Sequence, residues 1–453
     1  MPVLLVLSQT HNHWGGIEAW MSEVLPHLEH SGWDIHYGLA VGRRHNNPQE
    51  FLPHHPYMHQ VHLMDGRAAT PAARQHAVRY LLRRLAPDAV MPLAIGDALP
   101  ALSEERVRGG KTRILSPVHS LHTGTLADLL GYKQLIDLVV VVSGLQHRWL
   151  AESAAIASER LLWVRNGVPP AAQPRVPQGG AALRVGYVGR IENSIKRAND
   201  VAAILRECAA RETPMTMTIA GDGPDRAELE AGLQPIQAQI PSQFLGFRDR
   251  GFLYRDVYPQ LDALLLASVT EGSPLALVEA MHNGAVPVVS EYFGFAAEGL
   301  LRPGHNCLSF PVGDVACAAG HLDSLARDAE LLARLSSQAR ASVAGAYDKA
   351  TMLQGWGDAF SRLLALPPLA APPTSPTTPA SATYGRLDRW GVPPAVTNWF
   401  RRHTTSHRAA DGFNEWPGSV YGDAALLASI DNSLRAVEAQ CAGRIGAVEP
   451  ALA

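Results

Sequence analysis

The feature that most constrains this chain is a rhythm. Short β-rich runs alternate with helical patterns through residues 1–360, and the pattern falls into two halves. In the first half the expected strands are Val3–Leu7, Ile35–Leu39, Ala89–Leu93, Arg113–Ser116, Leu138–Val142 and Leu162–Arg165. In the second half they are Leu183–Val188, Met215–Ala220, Gln243–Leu245, Ala263–Leu266, Val286–Val289 and Leu308–Phe310. Several are apolar at every position, as strands covered on both faces of a parallel sheet are. The alternation predicts an α/β fold with two doubly wound, Rossmann-like domains. Side by side, such domains leave a cleft at the carboxyl ends of their strands, where ligands of open α/β sheets bind.

The break between halves is expected in Pro169–Gly180, where Pro, Gln and Gly cluster. This divides the chain into an N-terminal Rossmann-like domain over 1–170 and a C-terminal Rossmann-like domain over 181–345, with a return helix over 346–365. Residues 366–382 carry no charge and are rich in Pro, Thr, Ser and Ala, which predicts a semi-extended linker. The tail over 383–453 differs in character. Arg386, Arg389, Arg401, Arg402 and Arg408 are interleaved with Trp390, Trp399 and Phe400, which suits a lipid-interface patch or an oligomer contact. Asp423 is placed to cap an amphipathic helix with Leu426, Leu427, Ile430, Leu434 and Val437 on one face.

Composition narrows the function. Hydrophobic residues make up 47% and charged residues 18%, which is globular rather than disordered usage. Lys plus Arg (39) against Asp plus Glu (42) gives −3, so nucleic acid is not the expected partner. Cys208, Cys307, Cys317 and Cys441 are scattered, without disulfide-framework or zinc spacing, and suit a reducing cytoplasm. No apolar run approaches the roughly 20 residues that span a bilayer. Val3–Leu7 is too short for a signal-peptide core and reads as a first strand. The expected location is therefore cytoplasmic, with a peripheral contact on the inner face of the plasma membrane through the tail. His54, His55, His59 and His62 look metal-like but have no nearby Cys or acid, and four side chains on one loop or bent strand is the plainer reading. Arg74, Arg79, Arg83 and Arg84 on a helix over 72–85 read as a solvated face rather than a lipid-binding one. There is no P-loop, no complete dinucleotide fingerprint and no D-x-D pair. No metal and no resident cofactor are expected.

The most informative stretch is Thr270–Ser290, TEGSPLALVEAMHNGAVPVVS. Ser273 as N-cap with Pro274 at the first helical position predicts a helix start, whose free N–H groups near Leu275 and Ala276 favour an anion. Seven residues separate Glu271 and Glu279, which puts the second about two turns along that helix from the first. One carboxylate suits a sugar hydroxyl, the other a ribose. By themselves two such acids are more often a surface cap and a solvated helix residue.

The same stretch resembles the signature of GT-B glycosyltransferases of the large retaining family 4, the glycosyl transferases group 1. The similarity extends over about 350 residues in order, as is expected of a two-domain unit. Gly15-Gly16-Ile17-Glu18, Val140–Ser143, Asn166-Gly167-Val168, Gly189-Arg190 followed by Lys196, Gly221-Asp222-Gly223-Pro224 and Gly246-Phe247 all fall in register. The tail is not covered. The resemblance implies that Glu271, Arg190, Lys196 and His119 are catalytic. It implies donor binding by Glu279, Ser273, Pro274, Leu275, Ala276, Gly246 and Phe247, with Gly15 and Gly16 forming the acceptor loop. Two cations would neutralise a departing diphosphate. Five residues separate Arg190 and Lys196, where the family shows four, so either the loop bulges or Arg197 takes the place of Lys196. His122 competes with His119. Asp222 reads as a turn residue, and Pro26 as a bend in the first helix.

The expected function is transfer of a sugar from a nucleotide-diphosphate-sugar donor to a hydroxyl of a glycan or lipid-linked glycan. Retention follows from the resemblance alone. No placed carboxylate pair suits a double displacement, so the leaving diphosphate would itself accept the acceptor's proton. A sugar-nucleotide epimerase or hydrolase on the same fold predicts donor turnover without acceptor. A non-catalytic glycan-binding module predicts binding without release of a nucleoside diphosphate. The donor base, sugar, acceptor and linkage are not written in the sequence.

Overall fold

The computed structural model describes residues 1–11, 15–42, 45–68, 70–169, 171, 182–367, 369, 416–420 and 423–446. The residues between 372 and 415, with the Arg/Trp stretch and most of the expected linker, lie outside the described residues. The chain divides into two compact units. The first comprises Met1–Val142, Gln146–Val164 and Leu353–Leu434; the second comprises Ser143–Leu145, Arg165–Met352 and Arg435–Ala453.

The first unit holds seven strands: β1 (Val3–Ser8), β2 (Asp34–Val41), β3 (Gln60–Asp65), β4 (Ala89–Leu93), β5 (Arg113–Val118), β6 (Leu138–Val141) and β7 (Leu161–Trp163). Their order is β3-β2-β1-β4-β5-β6-β7, and every pairing is parallel. β1 and β6 are apolar at nearly every position and almost wholly buried, which is why they read as unalternating runs. β3 is the element missed from sequence. It sits at the sheet edge with only Met64 fully buried, so it carries no hydrophobic period to find.

The histidines over 54–62 and the arginines of the helix over 72–85 fall in this unit. His55 lies tilted against Phe51, with ring centroids 4.1 Å apart, while His62 faces His36 on the neighbouring strand at 2.9 Å. Among the described residues no group of three or more His, Cys, Asp or Glu is gathered to hold a metal. On the helix Pro71–Leu85, Arg74 pairs with Asp97, Arg79 with Glu104 and Arg83 with Glu105. The helix Gly16–His30 runs through Pro26 without stopping. Its Trp20 ring lies 4.6 Å from that of Trp356, which the helix Lys349–Ala365 buries completely in this unit. No described helix is long and apolar enough to cross a membrane.

The second unit holds β8 (Leu183–Val188), β9 (Met215–Ala220), β10 (Ser242–Gly246), β11 (Ala263–Leu266), β12 (Val286–Ser290) and β13 (Leu308–Phe310). All pair in parallel, in the order β10-β9-β8-β11-β12-β13. The order reverses between β8 and β11, and between β1 and β4 in the first unit. A reversal leaves a crevice at the strand carboxyl ends, because the following connections part to opposite faces. The helix Ala424–Gly446 begins where Asp423 accepts from the N–H groups of Ala425 and Leu426. Its buried stripe is Ile430, Leu434, Val437 and Cys441, spaced for one helical face.

Two glycines are fixed by close approach of backbone. A Cβ on Gly221 would meet the Gly189 carbonyl oxygen at 1.8 Å, and one on Gly223 would meet the Ile191 carbonyl oxygen at 2.1 Å. The N–H of Gly189 donates to Ala220 and that of Ile191 to Asp222, so the two connections are bonded back to back. Gly223→Ala should therefore lower stability by about 1–3 kcal/mol, the usual cost of forcing atoms into a filled site. Urea unfolding of the variant against the wild type measures this, and an unchanged midpoint would refute the packing argument.

Candidate donor-side site

The site is assembled from the connections that follow β8 and β11. After β8 the chain passes Arg190 and reaches Lys196 and Arg197, tied down where Val269 N–H donates to the Ile195 carbonyl. Arg197 adopts a left-handed backbone, φ 51°, and its guanidinium turns to Asp200. Lys196 instead places Nζ 2.5 Å from Glu271 Oε1. The extra residue in the Arg190–Lys196 spacing is thus absorbed in the loop, and Lys196 rather than Arg197 lies beside Glu271.

Glu271 is largely buried. Its Oε1 also accepts from Ser268 Oγ at 2.6 Å, and Ser268 is held by Ser290 Oγ on its carbonyl. A buried carboxylate needs such partners to stay ionised. Oε2 has no protein donor among the described residues and remains able to accept from a hydroxyl.

The helix begins one residue later than the Ser273 cap predicts. It spans Leu275–His282 with Pro274 as its cap, and the Pro274 carbonyl accepts from Leu277 and Val278. Ser273 makes no cap bond. Glu271 therefore stands in the preceding loop, and Glu279 lies about one turn into the helix rather than two turns beyond Glu271. The N–H groups of Leu275 and Ala276 have no carbonyl one turn earlier to bond, and both residues are only half-buried.

Glu279 is buried beneath three donors. Arg250 reaches Oε1 at 2.7 Å, Tyr254 Oη the same atom at 2.8 Å, and Tyr258 Oη bonds Oε2. Those three residues were not foreseen. Their spacing of four along the helical turns 250–260 is the signal that would have found them. Gly246 ends β10 at φ 68°, its carbonyl accepting from Gly221, and Phe247 beyond it is half-exposed. Arg190 is exposed and pairs with Glu192 at 3.2 Å. Asp222 accepts from the N–H of Gly223 within its turn.

In the first unit, Gly15 caps the helix that opens at Gly16, and a Cβ on Gly16 would meet nothing within 4 Å. His119 lies against the rings of Trp20 and Trp356, with Nε2 enclosed and unpartnered among the described residues. Burial pushes its pKa down to about 4, so the imidazole is neutral at pH 7. His122 is exposed and caps the next helix without a side-chain bond.

Two further carboxylates in the second unit escaped the sequence reading. Glu438 accepts from the N–H groups of Gly294, Ala296 and Ala297 at 2.8–3.2 Å. Glu298 accepts from Gly144 N–H at 2.8 Å and Tyr347 Oη at 3.2 Å.

The comparisons with known proteins fit this arrangement. The family model described as Glycosyl transferases group 1 matches residues 182–328. That match lies within the second unit. A 2-deoxystreptamine glucosyltransferase of Streptomyces kanamyceticus is 33% identical over 145 residues, 31% of this chain and 35% of that protein. An exopolysaccharide phosphotransferase of Streptomyces coelicolor is 25% identical over 246 residues, 54% of this chain and 25% of that protein. The chain thus spans about a quarter to a third of the length of these curated relatives. Anabaena HepE, solved in complex with UDP, superposes with a TM-score of 0.63 at 17% identity over 80% of this chain and 100% of its own. A lipopolysaccharide outer core galactosyltransferase, WaaB, gives 0.61 at 19% identity over 80% and 99%. The fold is GT-B, as the sequence reading expected.

Burial raises the Glu298 pKa from an ordinary 4.5 to about 7. The folded protein therefore holds this proton more tightly than the unfolded chain. The resulting stabilisation is complete below pH 4.5 and is lost as pH rises through 7, by up to about 3 kcal/mol. Glu298→Gln should flatten that slope between pH 4.5 and 7 in urea titrations; a slope equal to wild type would refute it.

Proposed function

We propose that the chain is a glycosyltransferase that moves a sugar from a nucleoside-diphosphate sugar to a hydroxyl of a glycan or lipid-linked glycan. The observation that carries this reading is Glu271, held by Lys196 and Ser268 directly ahead of a half-buried helix start, within the residues that the group 1 model matches. A neighbouring fold solved with UDP supports a nucleotide-sugar donor.

In this reading the diphosphate lies on the N–H groups of Leu275 and Ala276, flanked by Lys196 and Arg190. These groups stabilise charge that grows as the bond from the sugar C1 to phosphate oxygen breaks. The acceptor oxygen forms the new bond to C1 on the same face, and its proton passes to the departing phosphate oxygen. The anomeric configuration is retained, and the fixed cations take the part that a divalent ion plays elsewhere. Glu271 orients the sugar through Oε2. Glu279 bears on the ribose, with Arg250, Tyr254 and Tyr258 fixing its position. Gly246 and Phe247 lie at the base, Gly15 and Gly16 approach the acceptor side, and neutral His119 contacts the sugar near C1. The product belongs to cell-surface polysaccharide or glycolipid synthesis, made by a cytoplasmic protein in peripheral contact with the membrane.

Thermal-shift screening of UDP-, GDP- and ADP-sugars should show one base family raising the melting temperature by mass action. With that donor, Glu271→Ala, Lys196→Ala and Arg190→Ala should each lower transfer by roughly 10²–10³-fold, the scale of lost charge stabilisation. Far-ultraviolet circular dichroism should be unchanged. Near-wild-type transfer by all three variants would overturn the assignment.

A further inference from the structure

The first unit is closed at the carboxyl end of its sheet by residues remote in sequence, Trp416–Val420. Trp416 is completely buried, and its indole Nε1 donates to the carbonyl of Val41, the last residue of β2. The ring covers Gly66, just beyond β3, where a Cβ would lie 2.1 Å from Nε1. The Pro417 carbonyl accepts from Gly96 N–H at 2.8 Å, beyond β4. Ser419 Oγ donates to the Gly124 carbonyl at 2.7 Å, in the helix that follows β5. The Val420 N–H donates to Asp128, a carboxylate buried to 3% exposure that the Ser419 hydroxyl also reaches.

One pentapeptide therefore lies across the connections that follow β2, β3, β4 and β5. Glycine stands at three of the contact points, and at each a Cβ would come within about 3 Å of the segment. That end of a doubly wound sheet is where ligands bind, since the strand order reverses there between β1 and β4. The segment is anchored rather than laid on the surface. Removing it would expose a whole indole and strip a buried carboxylate of three hydrogen-bond contacts. Pro417 and Val420, whose side chains make none of these hydrogen bonds, are only half-buried.

We infer that Trp416–Val420 is a fixed lining of the acceptor end, and that the side chain of Val420 sets the size of acceptor admitted there. This inference rests on the glycosyltransferase reading. Trp416 and Asp128 are positioning residues, because they act by holding the segment, and Val420 is the specificity residue.

The full chain is tested with the donor found by thermal shift and three acceptors of rising size: water, methyl glucoside and octyl glucoside. Val420→Ala should shift the transfer ratio at least fivefold towards the larger acceptors, and Val420→Trp at least fivefold towards water. If water alone reacts, the two variants should raise and lower its rate respectively. The donor KM should stay within twofold in both variants, which separates lining from general damage to the fold. Hydrogen exchange should show the amides of Gly96 and Val420 opening no faster than those of Leu5 and Val90 in the strands beneath. Unchanged acceptor ratios with normal donor turnover would overturn the role of the segment alone. Fast exchange at Gly96 and Val420 would also overturn it, by showing a detachable cover. No turnover of UDP-, GDP- or ADP-sugars by wild type or variants would overturn the glycosyltransferase reading, and the acceptor assignment with it.

Discussion

Everything at the candidate site is referred to one contact of backbone on backbone. The turn Gly221–Gly223 lies so close to residues 189–191 that no side chain fits between them, and hydrogen bonds from the N–H groups of Gly189 and Ile191 join the two. That contact fixes the start of the loop leading to Lys196. The Ile195–Val269 bond fixes its end. Lys196 can then meet a carboxylate held from the other side by Ser268. Burying such an ion pair costs desolvation energy, which is offset only when the geometry is held in advance. Here short, glycine-tight connections hold it, and no long side chain has to be ordered by the ligand.

The fold was legible because its strands lie between two layers of helix. β4, β8, β9, β11 and β13 were read to the residue. β3 was lost because an edge strand with mixed exposure has no period. The site was legible in part. Glu271, Lys196 and the helix start are found together in one unit, and all are local signals: a turn, a cap region, a charge after a strand. The helix start itself was misplaced by one residue, because Ser-Pro permits a cap at either position and only the first accepting carbonyl decides.

What stayed hidden has one physical character. Arg250, Tyr254 and Tyr258 on Glu279, Glu438 on Gly294–Ala297 and Trp416 on Gly66 are polar or aromatic groups satisfied across long sequence separations. A single sequence records that a Trp or Glu is present but not which distant amide it will find. The tail helix was foreseen from its cap and apolar stripe. Its Glu438 was not, because a carboxylate on a helix face reads as solvated until its partners are known.

The first unit is built from three stretches, and the last of them ends at Leu434. Its sheet is finished by Trp163, yet the indole that covers Gly66 is encoded some 250 residues later. On the ribosome, then, the amino-terminal sheet emerges long before its own closing piece. Through synthesis of Arg165–Met352 of the second unit it must persist with Gly66, Gly96 and Asp128 uncovered by that segment. The first unit is completed only after residues 165–352 of the second have been made.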